Sequence, residues 1–265
     1  MLNWLFGQPR GIAASPWGPV GAAFLVLVMA VLAALLAGVV MAGVLAVTPW
    51  LRHAVETRCA GSARADCATA LLAGLSLAYF FVVAGLIIAC WLRRSATVAN
   101  SLLLRSAEWR LWQYLIFAVV TVISLILLQQ LLYYLSGQFG AAPDDPMRDL
   151  EALRDMFPLD EPATLALMVL LAVVLAPLAE EFVFRGALYA AFSKTRLGVM
   201  GSGILLSAVW SAMHWGYSPQ NLAALFCLGL LFAYIVWRTG SLWPAVVGHA
   251  ANNLVAVVAL MTYQP

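Results

Sequence analysis

The sequence predicts an all-α, polytopic transmembrane helix bundle of about seven spans with a buried polar site. Of its 265 residues, 64% are hydrophobic and only 10% are charged, whereas a typical soluble domain carries about 25% charged residues. The mean hydropathy is +0.94. The net charge of +2 comes without a long basic run, so nucleic acid is not an expected partner and membrane lipids are.

Seven apolar segments are predicted to span the membrane, namely 20–47, 67–92, 111–135, 163–192, 199–215, 222–237 and 242–261. Most approach or exceed the roughly 20 residues that cross a bilayer. The fifth and sixth are shorter, so we expect a hairpin that neighbouring helices partly enclose. Residues 147–157 have the periodicity of a short amphipathic helix, although a solvated loop fits as well, and the basic stretch 93–110 is compatible with an interfacial helix.

The distribution of Lys and Arg predicts the orientation. With a cytoplasmic N-terminus, the inner loops hold eight of these residues and the outer loops five, which favours an N-in, C-out protein of the inner or plasma membrane. Cys59 and Cys67 would then share an outer loop, where a disulfide between them is one outcome. Without an internal repeat, we expect one continuous membrane domain, with helices of unassigned role in 1–162 and a candidate catalytic bundle in 163–265.

The fourth predicted span contains Glu180, Glu181 and Arg185. Each charge costs about 2.5–3.5 kcal/mol at mid-bilayer on insertion scales. Residues four apart share a helix face, so Glu181 can pair with Arg185, while Glu180 points about 100° away and has no partner on its own helix. A carboxylate in an apolar site is a stronger base than one in water, as a general base requires. A purely structural role for the three residues fits equally well.

Two further polar groups lie on other spans, Trp210 with His214 and His249 with Asn253, each pair four residues apart. At 1.5 Å per residue, Glu180, His249 and His214 lie at depths of roughly 18, 13 and 22 Å, which predicts one shared polar cavity. Such a set can activate water and stabilise an oxyanion. Glu180, His214 and His249 could instead hold zinc with an open fourth position, and packing roles for the histidines and the asparagine also remain open.

The motifs Glu-Glu-x-x-x-Arg, aromatic-x-x-x-His and His-x-x-x-Asn, in this order, resemble those of the CPBP family. These are the CAAX-prenyl-protease and bacteriocin-processing-like intramembrane proteases, also called Abi proteins. The resemblance covers about residues 163–263, with Trp210 in place of the usual phenylalanine. It implies a glutamate-dependent intramembrane endopeptidase, sometimes labelled a metalloprotease, that cleaves a membrane-associated protein or peptide near the membrane surface.

The resemblance also implies a role for each motif. Glu180 would take a proton from water that His214 helps to bind, His249 and Asn253 would stabilise the oxyanion, and Glu181 and Arg185 would order the first motif. Two alternatives come from other classes. One is a non-catalytic scaffold or immunity protein of the same fold. The other is a transporter with a carboxylate proton relay, which the lack of paired broken helices in an inverted repeat disfavours.

Overall fold

The computed structural model describes residues 9–12, 15–48, 64–93, 100, 102–138, 148–157 and 159–262. Within these ranges the regular elements are helices only: α1 (Pro19–Val47), α2 (Arg64–Arg93), α3 (Leu111–Gln138), α4 (Arg148–Met156), α5 (Pro162–Phe192), α6 (Gly198–Ala212), α7 (Pro219–Thr239) and α8 (Trp243–Thr262). The predicted all-α bundle is confirmed, and the protein is an integral, multi-pass membrane protein.

Six helices are long and apolar enough to cross a membrane, and α6 is not one of them. Its 15 residues extend only about 22 Å, against about 30 Å of hydrocarbon. The seven predicted spans are therefore six full-length helices and one short apolar helix. The short helix forms a hairpin with α7, whose most apolar window is 50% buried, against 11% for α1. Helix α7 is thus enclosed by its neighbours, as predicted, and α1 lies at the periphery.

Local sequence signals set both ends of α7. The Ser218 side chain accepts a hydrogen bond from the backbone N–H of Asn221 at the N-terminus, and Pro219 occupies the first turn, where its missing N–H costs nothing. Gly240 ends the helix with φ of 65°, a left-handed conformation that glycine adopts without a steric penalty. The turn after it is short, so α8 begins at Trp243 and returns beside α7.

Connecting segments that carry basic residues come together at one end of the bundle. The backbone N–H of Arg10 donates to the carbonyl of Arg238 at 3.2 Å, and Lys194 Nζ donates to the carbonyl of Ile12 at 2.9 Å. The segment 102–110 joins this end without helical structure, and Leu103 is fully buried there. The prediction of an interfacial helix over 93–110 is therefore wrong for 102–110. The carbonyl of Leu103 instead accepts from the backbone N–H of Leu242 at 2.9 Å.

Two cysteines in apolar helices are free thiols, and a third takes part in a disulfide. Cys90 and Cys227 are free and lie in the apolar helices α2 and α7. Cys67, at the start of the apolar part of α2, takes part in a disulfide. Cys59 lies outside the described residues, and so does the loop in which the pairing of Cys59 with Cys67 was predicted.

The amphipathic helix predicted over 147–157 is present as α4, and a buried carboxylate attaches it to the bundle. Asp149 is 8% exposed and accepts hydrogen bonds from the Ser218 N–H at 2.9 and 3.1 Å, the Ser218 hydroxyl at 3.0 Å and the Asn221 side-chain amide at 2.6 Å. From α3, Tyr133 lies 3.0 Å from the same hydroxyl, and Gln129 donates to the Asn221 side chain at 2.9 Å. A carboxylate at a helix N-terminus also interacts favourably with the helix dipole.

Asp149→Asn tests this attachment. The change keeps the size of the side chain but removes the charge and one acceptor, so we expect a loss of about 1.5–3 kcal/mol, the usual worth of hydrogen bonds to a charged group. Unfolding of the purified protein in detergent micelles measures it. Asp155→Asn, on an exposed position of the same helix, is the matched control, and equal stability of the two variants would contradict this account.

Candidate active site

The two glutamates of α5 have different surroundings, as their helical phase predicted. Glu181 is fully buried and Arg185 is 2% exposed, and Arg185 donates to Glu181 Oε1 at 2.9 Å. The guanidinium also donates to the carbonyl of Gly229 at 3.1 Å and lies 4.9 Å from the centre of the Trp210 ring. A Cβ on Gly229 would lie 3.2 Å from this guanidinium and 2.8 Å from Ser207 Cβ. Only glycine at this position therefore lets α7 pack so closely against Arg185 of α5 and Ser207 of α6.

Glu180, by contrast, is held by neutral donors. Its side chain is 12% exposed. Oε1 accepts from the hydroxyl of Tyr79 on α2 at 3.2 Å, and Oε2 accepts from the indole N–H of Trp210 on α6 at 2.6 Å. Neutral donors orient a carboxylate without cancelling its charge. Glu180 is therefore a partly accessible carboxyl group that has no arginine or lysine partner among the described residues.

His249 connects the two glutamates. It is 3% exposed, its Nδ1 lies 3.1 Å from Glu181 Oε1, and its Nε2 lies 4.0 Å from Glu180 Oε2. Because a carboxylate paired with arginine only accepts hydrogen bonds, Nδ1 carries the proton and Nε2 faces Glu180. Phe232 stacks on the imidazole with ring centres 5.7 Å apart. Glu181 thus orients this histidine as well as pairing with Arg185, in the manner of a carboxylate behind a catalytic imidazole.

His214 lies beside this cluster, not inside it. Its Nδ1 is 3.0 Å from the carbonyl of Trp210, which only accepts, so Nδ1 donates and Nε2 is the basic nitrogen. The His214 ring packs against Trp210, with centres 5.4 Å apart, and against Tyr217 at 5.7 Å. Burial raises the pKa of the Tyr217 phenol, and the charges of Asp149 and Glu180 raise it further. Tyr217 therefore stays a neutral hydrogen-bond donor near the site.

Asn253 has a hydrogen bond that the sequence did not predict. Residues Leu170–Leu175 of α5 form a π-helical turn, in which the N–H of Ala176 bonds to the carbonyl of Leu171. The carbonyl of Ala172 would next need the N–H of residue 177, which is a proline and has none. The side-chain amide of Asn253 donates to this carbonyl at 2.8 Å. One amide proton of Asn253 thus satisfies the broken helix, and the second points to no protein acceptor among the described residues.

The described residues do not bring Glu180, His214 and His249 together as metal ligands. Within the described ranges, no three His, Cys, Asp or Glu side chains are grouped to hold one ion. Trp210 already donates to the Glu180 oxygen nearest His249. Zinc binding by Glu180, His214 and His249 would need a closer grouping of these side chains than the described residues have, and it stays a prediction.

Two contributors to the site were missed by sequence reasoning. Tyr79 lies in an apolar helix, where a single tyrosine resembles ordinary packing, and its contact with Glu180 joins positions 101 apart. Gly229 lies in an apolar run in which any small residue seems acceptable. The only sequence signal for Tyr79 was its position far from the ends of a predicted span. The sequence contained no signal for Gly229.

A bundle of this kind, with a Glu–Arg pair and a second glutamate beside a histidine, defines a membrane protein with a buried cluster of ionisable side chains. Residues 162–255 match the family model described as Type II CAAX prenyl endopeptidase Rce1-like. This match covers less than half of the chain, and for this segment it confirms the resemblance to the CPBP, CAAX-protease-like family that the motifs predicted. No curated protein and no solved structure matches the chain.

Arg185→Met tests the buried ion pair. Removing one partner leaves Glu181 as an uncompensated buried charge, for which we expect a loss of about 3–5 kcal/mol. Adding Glu181→Gln removes that charge, so the double variant should be more stable than Arg185→Met alone. Unfolding of both variants in detergent micelles measures the difference. If the double variant is no more stable than Arg185→Met, the loss of stability does not come from the unpaired charge of Glu181.

Proposed function

We propose that the protein is an intramembrane endopeptidase in which Glu180 activates water. The observation that supports this best is the environment of Glu180, a carboxyl group that two neutral donors orient and that lies 4.0 Å from the imidazole of His249. A helix-packing glutamate would need a cation, and the cation of this site is already paired with Glu181. The match of residues 162–255 to a protease family supports the same chemistry.

In the proposed reaction, Glu180 takes a proton from water as the water oxygen attacks the scissile carbonyl carbon. The carbonyl π bond opens and leaves a tetrahedral oxyanion. The proton taken by Glu180 then passes to the departing amine as the carbon–nitrogen bond breaks, so that Glu180 serves first as base and then as acid. Such reuse of one carboxyl group balances the proton over the cycle without another participant.

The two histidines have distinct proposed roles. His249, oriented through Nδ1 by Glu181, presents Nε2 to the site. With both ring nitrogens protonated, it would donate a hydrogen bond from Nε2 to the oxyanion and keep both protons through the cycle. His214 has Nδ1 engaged by the Trp210 carbonyl, so its Nε2 accepts a hydrogen bond from water. The buried Oε2 of Glu181 has no hydrogen-bond partner among the described residues and offers a second acceptor for an ordered water. The remaining amide proton of Asn253 is proposed to assist the oxyanion.

The distribution of charged residues between the two ends of the bundle supports one orientation in the membrane. The end that carries Arg10, Lys194 and Arg238 would face the cytoplasm under the positive-inside rule, and α4 with the loop between α6 and α7 would face the opposite side. Trp215 in that loop is 85% exposed, as suits a residue at the membrane interface. We propose that a membrane-anchored protein or peptide reaches Glu180 past this short hairpin.

Glu180→Gln tests the function. The substitution keeps size and hydrogen bonding but removes the base, so we expect processed protein termini in the membrane fraction to disappear. The measurement is mass spectrometry of membrane-protein termini in cells that carry the wild type or the variant at equal abundance. Glu161→Gln, which removes the charge of an exposed glutamate one helical turn before the buried part of α5, is the matched control.

The outcomes separate the proposal from its rivals. Termini that vanish only with Glu180→Gln support proteolysis and identify the substrate in the same experiment. Unchanged processing in cells that carry Glu180→Gln would refute the proposal. If a phenotype of the deletion is rescued by Glu180→Gln as well as by the wild type, a non-catalytic scaffold is the correct description.

A further inference from the structure

The helix that completes the surroundings of Glu180 lies outside the segment that matches the protease family. That segment is 162–255, whereas Tyr79 is on α2 and donates its hydroxyl to Glu180 Oε1 at 3.2 Å. Tyr79 is half-buried, and no other titratable side chain forms a hydrogen bond with this oxygen in the described part of the chain. The N-terminal helices therefore take part in the candidate site through one identifiable group.

The packing of α2 against α5 determines the depth in the bundle at which Tyr79 contacts Glu180. Near one end of the two helices, the hydroxyls of Thr69 and Thr164 lie 2.7 Å apart. Further along, Leu72 is almost wholly buried in a cluster with Leu171, and Tyr79 packs against this cluster. The two helices run in the same direction, so the hydrogen bond at Thr69 and the apolar cluster set the register that brings Tyr79 to Glu180.

The two oxygens of Glu180 are held in different ways by different helices. Trp210 on α6 holds Oε2 at 2.6 Å, on the side where His249 Nε2 lies 4.0 Å away. Tyr79 holds Oε1 from the other side. With a donor at each oxygen, the carboxylate plane is fixed, and rotation about its terminal bond would break both hydrogen bonds.

We propose that Tyr79 is a positioning residue of the active site, which holds the Glu180 carboxylate in the orientation that accepts a proton from water. This inference rests on the proposed function for its consequence in catalysis, although the interaction itself does not. Helix α2 would then contribute a side chain to the active site in addition to crossing the membrane. It also means that 162–255 by itself lacks one of the donors that the base requires.

Tyr79→Phe tests the proposal, because it removes only the hydroxyl. The first measurement is infrared spectroscopy of the full-length protein in nanodiscs during a pH titration. The carbonyl band of protonated Glu180 is the band that is lost in Glu180→Gln. In Tyr79→Phe we expect this band at higher frequency, since a hydrogen bond to the carboxyl group is lost.

The other ionisable groups that face Glu180 stay in place in Tyr79→Phe. They are His249 on α8, Glu181 and Arg185 on α5, and Tyr217 in the loop before α7. Tyr134→Phe is the matched control, because Tyr134 is 65% exposed on α3 and has no contact with the carboxylates. A band at the wild-type frequency in Tyr79→Phe would overturn the proposal.

The second measurement is processing in cells, with abundance and thermal unfolding of each variant checked in parallel. We expect Tyr79→Phe to reduce the rate at which processed termini appear by about tenfold, the effect of losing one hydrogen bond to a charged group, and Tyr134→Phe to leave it unchanged. If Glu180→Gln still processes termini, the proposed function fails, while the spectroscopic result still decides the role of Tyr79. If Glu180→Gln is inactive and Tyr79→Phe matches the wild type, only this inference fails.

Discussion

The buried ion pair between Glu181 and Arg185 is the interaction on which the arrangement of the last four helices depends. With 0% and 2% of their side chains exposed, these charges are stable in an apolar interior only when they are paired and hydrogen-bonded. Helix α7 supplies the Gly229 carbonyl, α6 the face of Trp210 and α8 the imidazole of His249. One pair thus requires three helices to meet α5 at the same level.

The same pair determines the character of Glu180. Because Glu181 takes the arginine, the neighbouring glutamate has only the neutral donors Tyr79 and Trp210 at hydrogen-bond distance. The side chain so placed is 12% exposed, so it is not fully enclosed by the bundle. Two adjacent residues of identical chemistry thus have different partners because successive positions on a helix point about 100° apart.

Irregular backbone is concentrated where the polar groups meet. The two π-helical turns of α5, Leu170–Leu175 and Phe182–Leu188, flank the glutamates. Such turns are frequent at functional sites, since they change the phase of a helix and release backbone groups. The carbonyl of Ala172 is one released group, and Asn253 satisfies it. In a membrane an unsatisfied carbonyl costs several kcal/mol, so Pro177 and Asn253 belong to one structural unit despite their distance in sequence.

The sequence by itself determined the class of this protein and most of its candidate residues. Composition and the length of the apolar runs are sufficient for a helical membrane bundle, because backbone groups in lipid must be satisfied within each helix. Charged residues in an apolar run are costly enough that Glu180, Glu181 and Arg185 stand out without any structure. Helical spacing further separates Glu180 from the Glu181–Arg185 pair, because positions on one helix have a fixed phase.

Tertiary structure alone decided which side chains touch. It places His249 within hydrogen-bond distance of Glu181 and farther from Glu180, puts Asn253 on a helix carbonyl, and brings Tyr79 to Glu180 from a helix 101 positions away. Periodicity fixes directions only within one helix, whereas contacts between helices depend on register, tilt and small residues such as Gly229. The charged cluster of α5 is therefore visible in the sequence, but the partners that make it a site come from the packing of the bundle.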